Sequence, residues 1–317
     1  MILALAGGVG GAKLAQGLAT QLRPEELLIV VNTGDDFVHL GLHISPDVDT
    51  VMYWLAGIND VERGWGLAGE TWNFMAALER IGGPTWFKLG DRDLATHVER
   101  FQRLAQGATL SEVTRHLCGQ LGIKHWVAPM SDQNVRTIVH TAGGSLAFQD
   151  YFVRQRCEPA ITGIEFASAE QASPSPAFAA ALSDHKVDAI VLCPSNPILS
   201  IDPILSLRDV RQRIQKRRTP VVAVSPIVGS QAIKGPVAKI FRELGRDTSV
   251  CAVAEHYRNL IDGLVIDTID ASFKCTIEAL GIRVAVTNTV MREATDRGRL
   301  AADVLNFAAR LTEPAHA

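Results

Sequence analysis

The first 31 residues place an apolar run, a glycine cluster, a helical repeat and a second apolar run in direct succession, and few folds accept that order. Residues 1–6 are uninterruptedly apolar, as in strands buried on both faces of a parallel sheet. Leucines at every fourth position predict a helix over residues 13–22, and residues 27–31 predict a second buried strand. The result is a βαβ unit with a right-handed crossover.

The second half of the chain repeats this alternation of apolar strands, loops and helices. Apolar runs that end at proline- or glycine-containing loops predict further strands at residues 187–192, 221–224, 264–266 and 284–286. Helices are predicted over residues 202–216, 236–244 and 296–311. We therefore expect an α/β fold with a Rossmann-like, doubly wound and mostly parallel sheet.

The middle of the chain follows a different pattern. Residues 66–81 and 93–121 are predicted to be mostly helical, and the turn at residues 142–145 predicts a β-hairpin. We interpret residues 1–317 as a single α/β domain. Residues from about 60 to 180 then form a mixed, largely helical insertion that covers the active site.

Composition narrows the class of protein. With 47% hydrophobic and 21% charged residues the chain can build a large core, and its formal net charge of −3 argues against nonspecific nucleic-acid binding. No apolar run reaches the length of a membrane span, so no membrane partner is expected. The five cysteines form no C-x-x-C pair, which is consistent with a reducing, cytoplasmic location.

The glycine cluster contains Gly7, Gly8, Gly10 and Gly11, and Lys13 follows it. Without Cβ atoms, backbone N–H groups can converge on phosphate oxygens, and a helix that starts there adds a favourable dipole. The spacing matches neither the P-loop, which needs Ser or Thr after the lysine, nor the dinucleotide fingerprint. The alternative is a purely structural strand-to-helix turn.

Acidic and amide side chains follow the second strand. Asn32 and Thr33 precede Asp35 and Asp36 at the strand end where open α/β sheets bind ligands, although a solvated Asx turn is an alternative.

A further acidic pair comes next. Asp47 and Asp49 form an Asp-x-Asp pattern that suits Mg²⁺ and its phosphate partner. The alternative to a metal site is that these acids lie at a helix N-terminus, where they would cap the helix and be stabilised by its dipole.

Four charged residues cluster after two aromatic ones. Lys88 and Arg92 are candidates for clamping phosphate, and Asp91 or Asp93 for accepting a proton from an attacking hydroxyl. A charged loop with internal salt bridges is the alternative.

Two loops after later strands offer hydroxyls and amides. One contains Ser195 and Asn196, and the other runs from Ser225 to Gly229. Neither has the surroundings of a nucleophilic serine, so both are interpreted as binding loops for a nucleotide or phosphate.

Taken in order, these blocks resemble the 2-phospho-L-lactate transferase family over residues 1 to at least 257. The blocks that carry the resemblance are Gly7–Leu14, Val31–Asp36, Ile44–Val51, Leu89–His97, Pro129–Asp132, Cys193–Pro197 and Ser225–Gly229.

The resemblance implies an activity in the biosynthesis of the deazaflavin coenzyme F-420. A phosphorylated small acid would be moved from its guanosine diphosphate-linked donor to the ribityl hydroxyl of the deazaflavin Fo, with release of GMP. It also implies a Mg²⁺ cofactor and a homodimer. Phospholactate, phosphoenolpyruvate and phosphoglycerate stay open as the acid.

The resemblance also suggests roles for individual residues. Asp49 and Lys88 match positions associated with Fo. The glycine cluster with Lys13, together with Ser195, Asn196 and the loop from Ser225 to Gly229, fits the guanosine diphosphate. The acids Asp47, Asp49, Asp91 and Asp93 are candidates for the metal and for the general base.

Two other hypotheses compete with this one. A dinucleotide-dependent oxidoreductase would use the same glycine loop, with Asp35 or Asp36 contacting a ribose. A nucleotide-sensing regulator would bind a guanine nucleotide without turnover.

Overall fold

A computed structural model describes residues 1–229, 231–232 (backbone only) and 236–312. In those ranges the strands are β1 (Ile2–Ala6), β2 (Leu27–Val31), β3 (Phe37–His39), β4 (Leu42–Ile44), β5 (Trp126–Pro129), β6 (Arg136–Thr141), β7 (Gly144–Ala147), β8 (Ile161–Ala167), β9 (Ala189–Leu192), β10 (Val221–Val224), β11 (Ile227–Val228), β12 (Gln231–Ala232), β13 (Gly263–Asp267) and β14 (Arg283–Thr287). The α-helices are α1 (Gly8–Gln21), α2 (Pro46–Ala56), α3 (Asn73–Arg80), α4 (Asp91–Ala105), α5 (Leu110–Gln120), α6 (Pro176–Ser183), α7 (Asp202–Leu205), α8 (Val210–Gln215), α9 (Val237–Glu243), α10 (Val250–His256), α11 (Lys274–Glu278) and α12 (Ala294–Thr312).

Seven parallel strands form the central sheet in the order β14-β13-β10-β9-β1-β2-β5. The chain leaves β1 in one direction through β2 and β5, and in the other through β9, β10, β13 and β14. The strand order therefore reverses between β1 and β9. The doubly wound α/β fold expected from the sequence is confirmed, and its topological switch point, where such sheets bind ligands, is located.

Alternation along β1 explains the two cores. Leu3 and Leu5 pack into one layer with α6, α8, α9 and α10, whereas Ala4 and Ala6 pack into the other with α1, α2 and α12. All four side chains are fully buried. Truncating Leu5 to alanine would cost about 2–5 kcal/mol, because the change removes buried apolar contacts and the surrounding structure relaxes only partly into the space.

The first helix begins earlier than the sequence predicts. Helix α1 starts at Gly8 instead of residue 13, so the glycines form its first turn. Gly8 adopts a left-handed φ of 59°, which glycine accepts without strain. Since helix N-termini expose unpaired N–H groups, the first turn directs these donors to the carboxyl edge of the sheet.

The range of about 60–180 is divided by a core strand. Helices α3, α4 and α5 precede β5, which pairs with β2 in the central sheet. After β5 comes an antiparallel sheet in the order β7-β6-β8, whose first hairpin confirms the predicted one. The third strand, β8, was not predicted. Helix 202–216 is likewise split into α7 and α8, with Asp209 in a left-handed conformation between them.

No helix in the described ranges is long and apolar enough to cross a membrane.

Candidate functional site

The β1 turn and the β9 loop are in close contact at the switch point. The Gly7 backbone N–H donates to Ser195 Oγ at 3.1 Å. A Cβ on Gly10 would lie 2.1 Å from the Pro194 carbonyl oxygen, and one on Gly11 would lie 2.4 Å from Ser195 Oγ. Glycine at these positions therefore permits the close approach of the two segments, in addition to any contact with a ligand.

Asp47 lies directly against the glycine turn. A Cβ on Gly7 would come within 2.6 Å of Asp47 Oδ2, and the Asn32 side-chain amide donates to the same oxygen at 3.0 Å. Asn32 Oδ1 accepts from the Gly34 N–H at 2.8 Å, so this amide joins β2 to the start of α2. The structure thus brings the predicted residues Gly7, Asn32 and Asp47 together.

Three buried carboxylates interact here. Burial raises the pKa of Asp47 to about 6, and burial together with the negative charge of Asp47 raises the pKa of Asp35 well above its ordinary range. The Oδ1 atoms of Asp35 and Asp36 are buried without a hydrogen-bond partner in the described part of the chain. Such a group is stabilised by a bound cation or by a ligand that donates hydrogen bonds.

Asp49 points away from Asp47 and contacts α4. Positions two apart on a helix differ by about 200° in direction, so the two side chains leave opposite faces of α2. Arg100 binds both carboxylate oxygens of Asp49, at 3.1 Å from Nη1 to Oδ2 and by a second hydrogen bond from Nη2 to Oδ1. The structure therefore does not bring Asp47 and Asp49 together as a chelating pair.

Asp93 belongs to the same buried network. Tyr53 donates to its Oδ1 at 2.6 Å, and His97 Nε2 lies 3.4 Å from its Oδ2. Burial alone would raise the pKa of Asp93, but His97 and the Tyr53 hydroxyl outweigh it and the pKa is lowered.

Asp91 and Arg92 hold a neighbouring segment. The Asp91 carboxylate accepts from Thr71 Oγ1 at 2.6 Å, and from the N–H groups of Asn73 and Phe74 at the start of α3. These bonds, that of Thr71 first, lower the pKa of Asp91 to about 2. Arg92 donates to the Ala68 carbonyl at 2.7 Å. The observed contacts of both side chains are those of a loop-to-helix anchor.

Lys88 is exposed and follows a group of aromatic rings in edge-to-face contact. Phe37 and Phe87 lie 4.8 Å apart between centroids, and His39 and Trp86 lie 5.1 Å apart. These residues come from the β3–β4 hairpin and the segment before α4, which together form an aromatic surface next to a cation.

Polar side chains anchor the loops after β9 and β10. Asn196 Oδ1 accepts from the N–H groups of Ile198 and Leu199, while its Nδ2 is buried without a partner in the described ranges. Ser225 Oγ donates to the Ile227 carbonyl at 2.9 Å. The Gly229 N–H donates to Asp270 Oδ2 at 2.9 Å. On α1, Lys13 Nζ donates to the Met291 carbonyl at 2.7 Å.

A cavity of about 240 Å³ opens at the ends of β2 and β5. Its walls come from the end of β2, the α4–α5 turn and the β5–β6 loop, and include Thr33, Asp36, His43, Asp132 and Arg136. A cleft of about 440 Å³ lies at the amino edge of the sheet, beside Ile2 and Ala189. Because parallel sheets bind ligands at the carboxyl edge, we assign function to the smaller cavity.

Sequence reasoning missed His43, Arg100 and Arg136. One signal could have found Arg100: Asp93, His97 and Arg100 recur at helical spacing and share one face of α4. No comparable signal marks Arg136, since its position depends on the unpredicted pairing of β5 with β2.

Comparisons with known proteins identify the family of this chain. The family model described as 2-phospho-L-lactate transferase CofD matches residues 2–292. A phosphoenolpyruvate transferase from Streptomyces griseus is 40% identical over 97% of this chain and 98% of its own length. A 2-phospho-L-lactate transferase from Methanosarcina mazei is 37% identical over 96% of this chain and 99% of its own.

Among solved structures, a UPF0052-family protein from Bacillus halodurans has a TM-score of 0.61 at 13% identity, covering 96% of this chain and 98% of its own, which supports the fold alone. None of these matches supports the oxidoreductase alternative. A family match of this extent, with near full-length relatives above 30% identity, establishes that the chain is a transferase enzyme of the 2-phospho-L-lactate transferase CofD family.

Proposed function

We propose that this enzyme transfers a phosphorylated three-carbon acid from its guanosine diphosphate-linked donor to the terminal ribityl hydroxyl of the deazaflavin Fo, releasing GMP, in coenzyme F-420 biosynthesis. The names of the relatives favour phosphoenolpyruvate or phospholactate as the acid, with phosphoglycerate as a third candidate. The observation that carries the proposal is the junction of the α1 N-terminus with the β9 loop at the switch point.

The donor fits the β1–β9 side of the site. The N–H groups in the first turn of α1 suit the diphosphate, since they combine hydrogen bonding with the helix dipole. The N–H group of Gly8 is hydrogen-bonded to Asp47. The buried Asn196 Nδ2, with no partner in the described ranges, can donate to the same ligand. The loop from Ser225 to Gly229 would lie beside the guanosine.

The acceptor fits the insertion side. A flat tricyclic ring matches the aromatic surface around Phe87, where Lys88 supplies a donor. The 240 Å³ cavity combines acceptors such as Asp36 with donors such as Arg136, which suits a neutral polyhydroxylated chain better than an anion. We assign Asp49 to the acceptor because the resemblance matches it to a position associated with Fo. Arg100, which pairs with Asp49, also donates to the carbonyl of His43, a residue that lines the cavity.

The transfer needs positioning more than covalent catalysis. The acceptor hydroxyl oxygen forms a bond to the phosphorus next to the acid, and its proton passes to a base. The bond from that phosphorus to the bridging oxygen breaks, and the electron pair leaves on GMP. The catalytic roles of Asp49, Asp91, Arg92 and Asp93 stay predictions; the contacts of Asp91 favour an anchoring role.

The residues fit a Mg²⁺ ion that is bound together with the donor. No group of three or more His, Cys, Asp or Glu side chains in the described ranges has the arrangement of a metal site. Mg²⁺ needs only one or two carboxylates when a diphosphate supplies other ligands. Asp47 and Asp35 would hold it, because Asp35 Oδ1 is buried and unpartnered. When bound, the ion neutralises charge on the diphosphate. A homodimer and a cytoplasmic location stay predictions.

The direct test supplies purified protein with Fo, Mg²⁺ and each of the three donors in competition. We expect GMP release and a new phosphodiester adduct, identified by mass spectrometry. Absence of both products with every donor would contradict the proposal. If GMP is released as fast without Fo as with it, and no adduct forms, the enzyme is a hydrolase and the acceptor assignment is wrong.

A further inference from the structure

Helix α4 buries a polar face. Asp93, His97 and Arg100 are 8%, 2% and 1% exposed, and they follow one another at i, i+4 and i+7. A helix normally turns apolar residues inward, and burying charge without a partner is costly. Helix α4 therefore takes part in a charged network that packing alone does not require.

Arg100 is the centre of this network. It donates to both carboxylate oxygens of Asp49, to the His43 carbonyl at 3.4 Å and to His97 Nδ1 at 3.2 Å. Since Nδ1 accepts, the ring proton of His97 lies on Nε2 and faces Asp93. One guanidinium thus connects α2, β4 and α4.

The geometry restricts Asp49 to one orientation. Its side chain is only 7% exposed, and the paired hydrogen bonds from Arg100 fix the plane of the carboxylate. Burial raises the pKa of Asp49, and the positive charge of Arg100 opposes that effect. The lone pairs that Arg100 leaves free are the ones available to a donor on a substrate.

We propose that Arg100 is a positioning residue for the acceptor: it holds Asp49 in the orientation that binds the acceptor substrate. This inference rests on the proposed function, in which Asp49 contacts Fo. Arg100 itself touches no substrate. The competing explanation is a structural ion pair that joins α2 to α4 with no effect on substrate binding.

Arg100→Lys distinguishes the two, because it keeps the charge and removes the paired geometry. We expect KM for Fo to rise about 10- to 100-fold, as for the loss of a charge-assisted hydrogen bond, while KM for the donor stays unchanged. Arg103→Lys is the matched control, since Arg103 lies on the same helix and pairs with Glu99 at the surface. An unchanged KM for Fo in Arg100→Lys overturns the inference.

Stability must be separated from positioning. Val113→Ala opens a cavity in the neighbouring helix α5, where Val113 is fully buried. It should lower the melting temperature without raising KM for Fo. If it raises KM as much as Arg100→Lys does, the effect is one of stability and the inference is wrong.

A double-mutant cycle tests whether Arg100 acts through Asp49. If Arg100 acts through Asp49, adding Arg100→Lys to Asp49→Asn should raise KM for Fo no further, whereas additive effects overturn the inference. If Arg100→Lys fails to fold, as shown by loss of GDP binding, His97→Gln removes one contact of Arg100 and should raise KM for Fo more modestly; no rise counts against the inference. If the wild-type protein itself forms no adduct with Fo, that result contradicts the proposed function and not the role of Arg100.

Discussion

The donor side and the acceptor side of the site depend on different kinds of contact. On the donor side, backbone groups of the β1 turn contact the β9 loop, and the side chains of Ser195 and Asp47 lie against the glycines. On the acceptor side, an ion-pair network between α2 and α4 and a group of rings carry the geometry. We infer that the donor side is sensitive to added volume, whereas the acceptor side is sensitive to lost charge.

Gly10→Ala should have the largest effect. The new Cβ would lie 2.1 Å from the Pro194 carbonyl, so the β1 turn and the β9 loop must separate. We expect about 2–3 kcal/mol or more of destabilisation and loss of GDP binding, measured by thermal unfolding and calorimetry. Gly119→Ala on α5 is the control: apart from the adjacent residues and the backbone of its own helix, no atom in the described ranges lies within 4 Å of the new Cβ, and the change should stabilise the protein slightly. Normal donor affinity in Gly10→Ala would break the comparison.

Asp49→Asn tests the charged side. Removing the negative charge leaves Arg100 buried without its ion-pair partner, which is costly. We expect kcat/KM for Fo to fall about 100-fold while GDP affinity changes little, measured by steady-state kinetics and calorimetry. If this variant turns over normally, the assignment of Asp49 to the acceptor is wrong even though the family stands.

Asp47 should make the stability of the ligand-free protein depend on pH. Its folded-state pKa of about 6 exceeds the ordinary value of 3.8, so the folded protein binds the proton more tightly than the unfolded chain does. Stability from this group is therefore present below pH 4 and lost as pH rises to 6, by about 3 kcal/mol at most. Asp47→Asn should flatten this part of the stability curve in denaturant titrations. The same slope in the variant would contradict the assignment.

Ser195→Ala should have the smallest effect. It removes the acceptor of the Gly7 N–H at the centre of the donor side. One lost hydrogen bond costs about 1 kcal/mol, so we expect donor affinity to fall about fivefold with KM for Fo unchanged. Ser272→Ala, at an exposed position after β13, is the control. A larger change in KM for Fo than in donor affinity would place Ser195 on the acceptor side.

The sequence predicted the donor side better than the acceptor side for a physical reason. Continuous apolar runs mark β1 and β2, and the glycines lie next to β1 in the chain, so their place at the sheet edge follows from the βαβ rule. The start of α1 was misplaced because glycine has low intrinsic helix propensity, and here packing against Pro194 overrides it.

The acceptor side depends on contacts between distant segments. Asp49 and Arg100 are 51 residues apart, and no local pattern pairs them. Strand β5 has only four residues and ends in Pro129, so its signal is too short to separate from a turn. The sequence predicts Asp91 as a candidate general base because it stands among charged residues. In the structure its carboxylate accepts a hydrogen bond from the start of a helix 18 residues earlier in the chain.

The position of β1 in the middle of the sheet also has a consequence for biosynthesis. Its contact through Gly7 with Ser195 spans 188 residues, whereas β2 follows only after a single helix. At typical rates of translation, the β9-facing edge of β1 waits about 10–40 s for its neighbour to be made. The donor side therefore forms late during synthesis, and until then the nascent chain carries an open strand edge that a chaperone or a second chain can pair with.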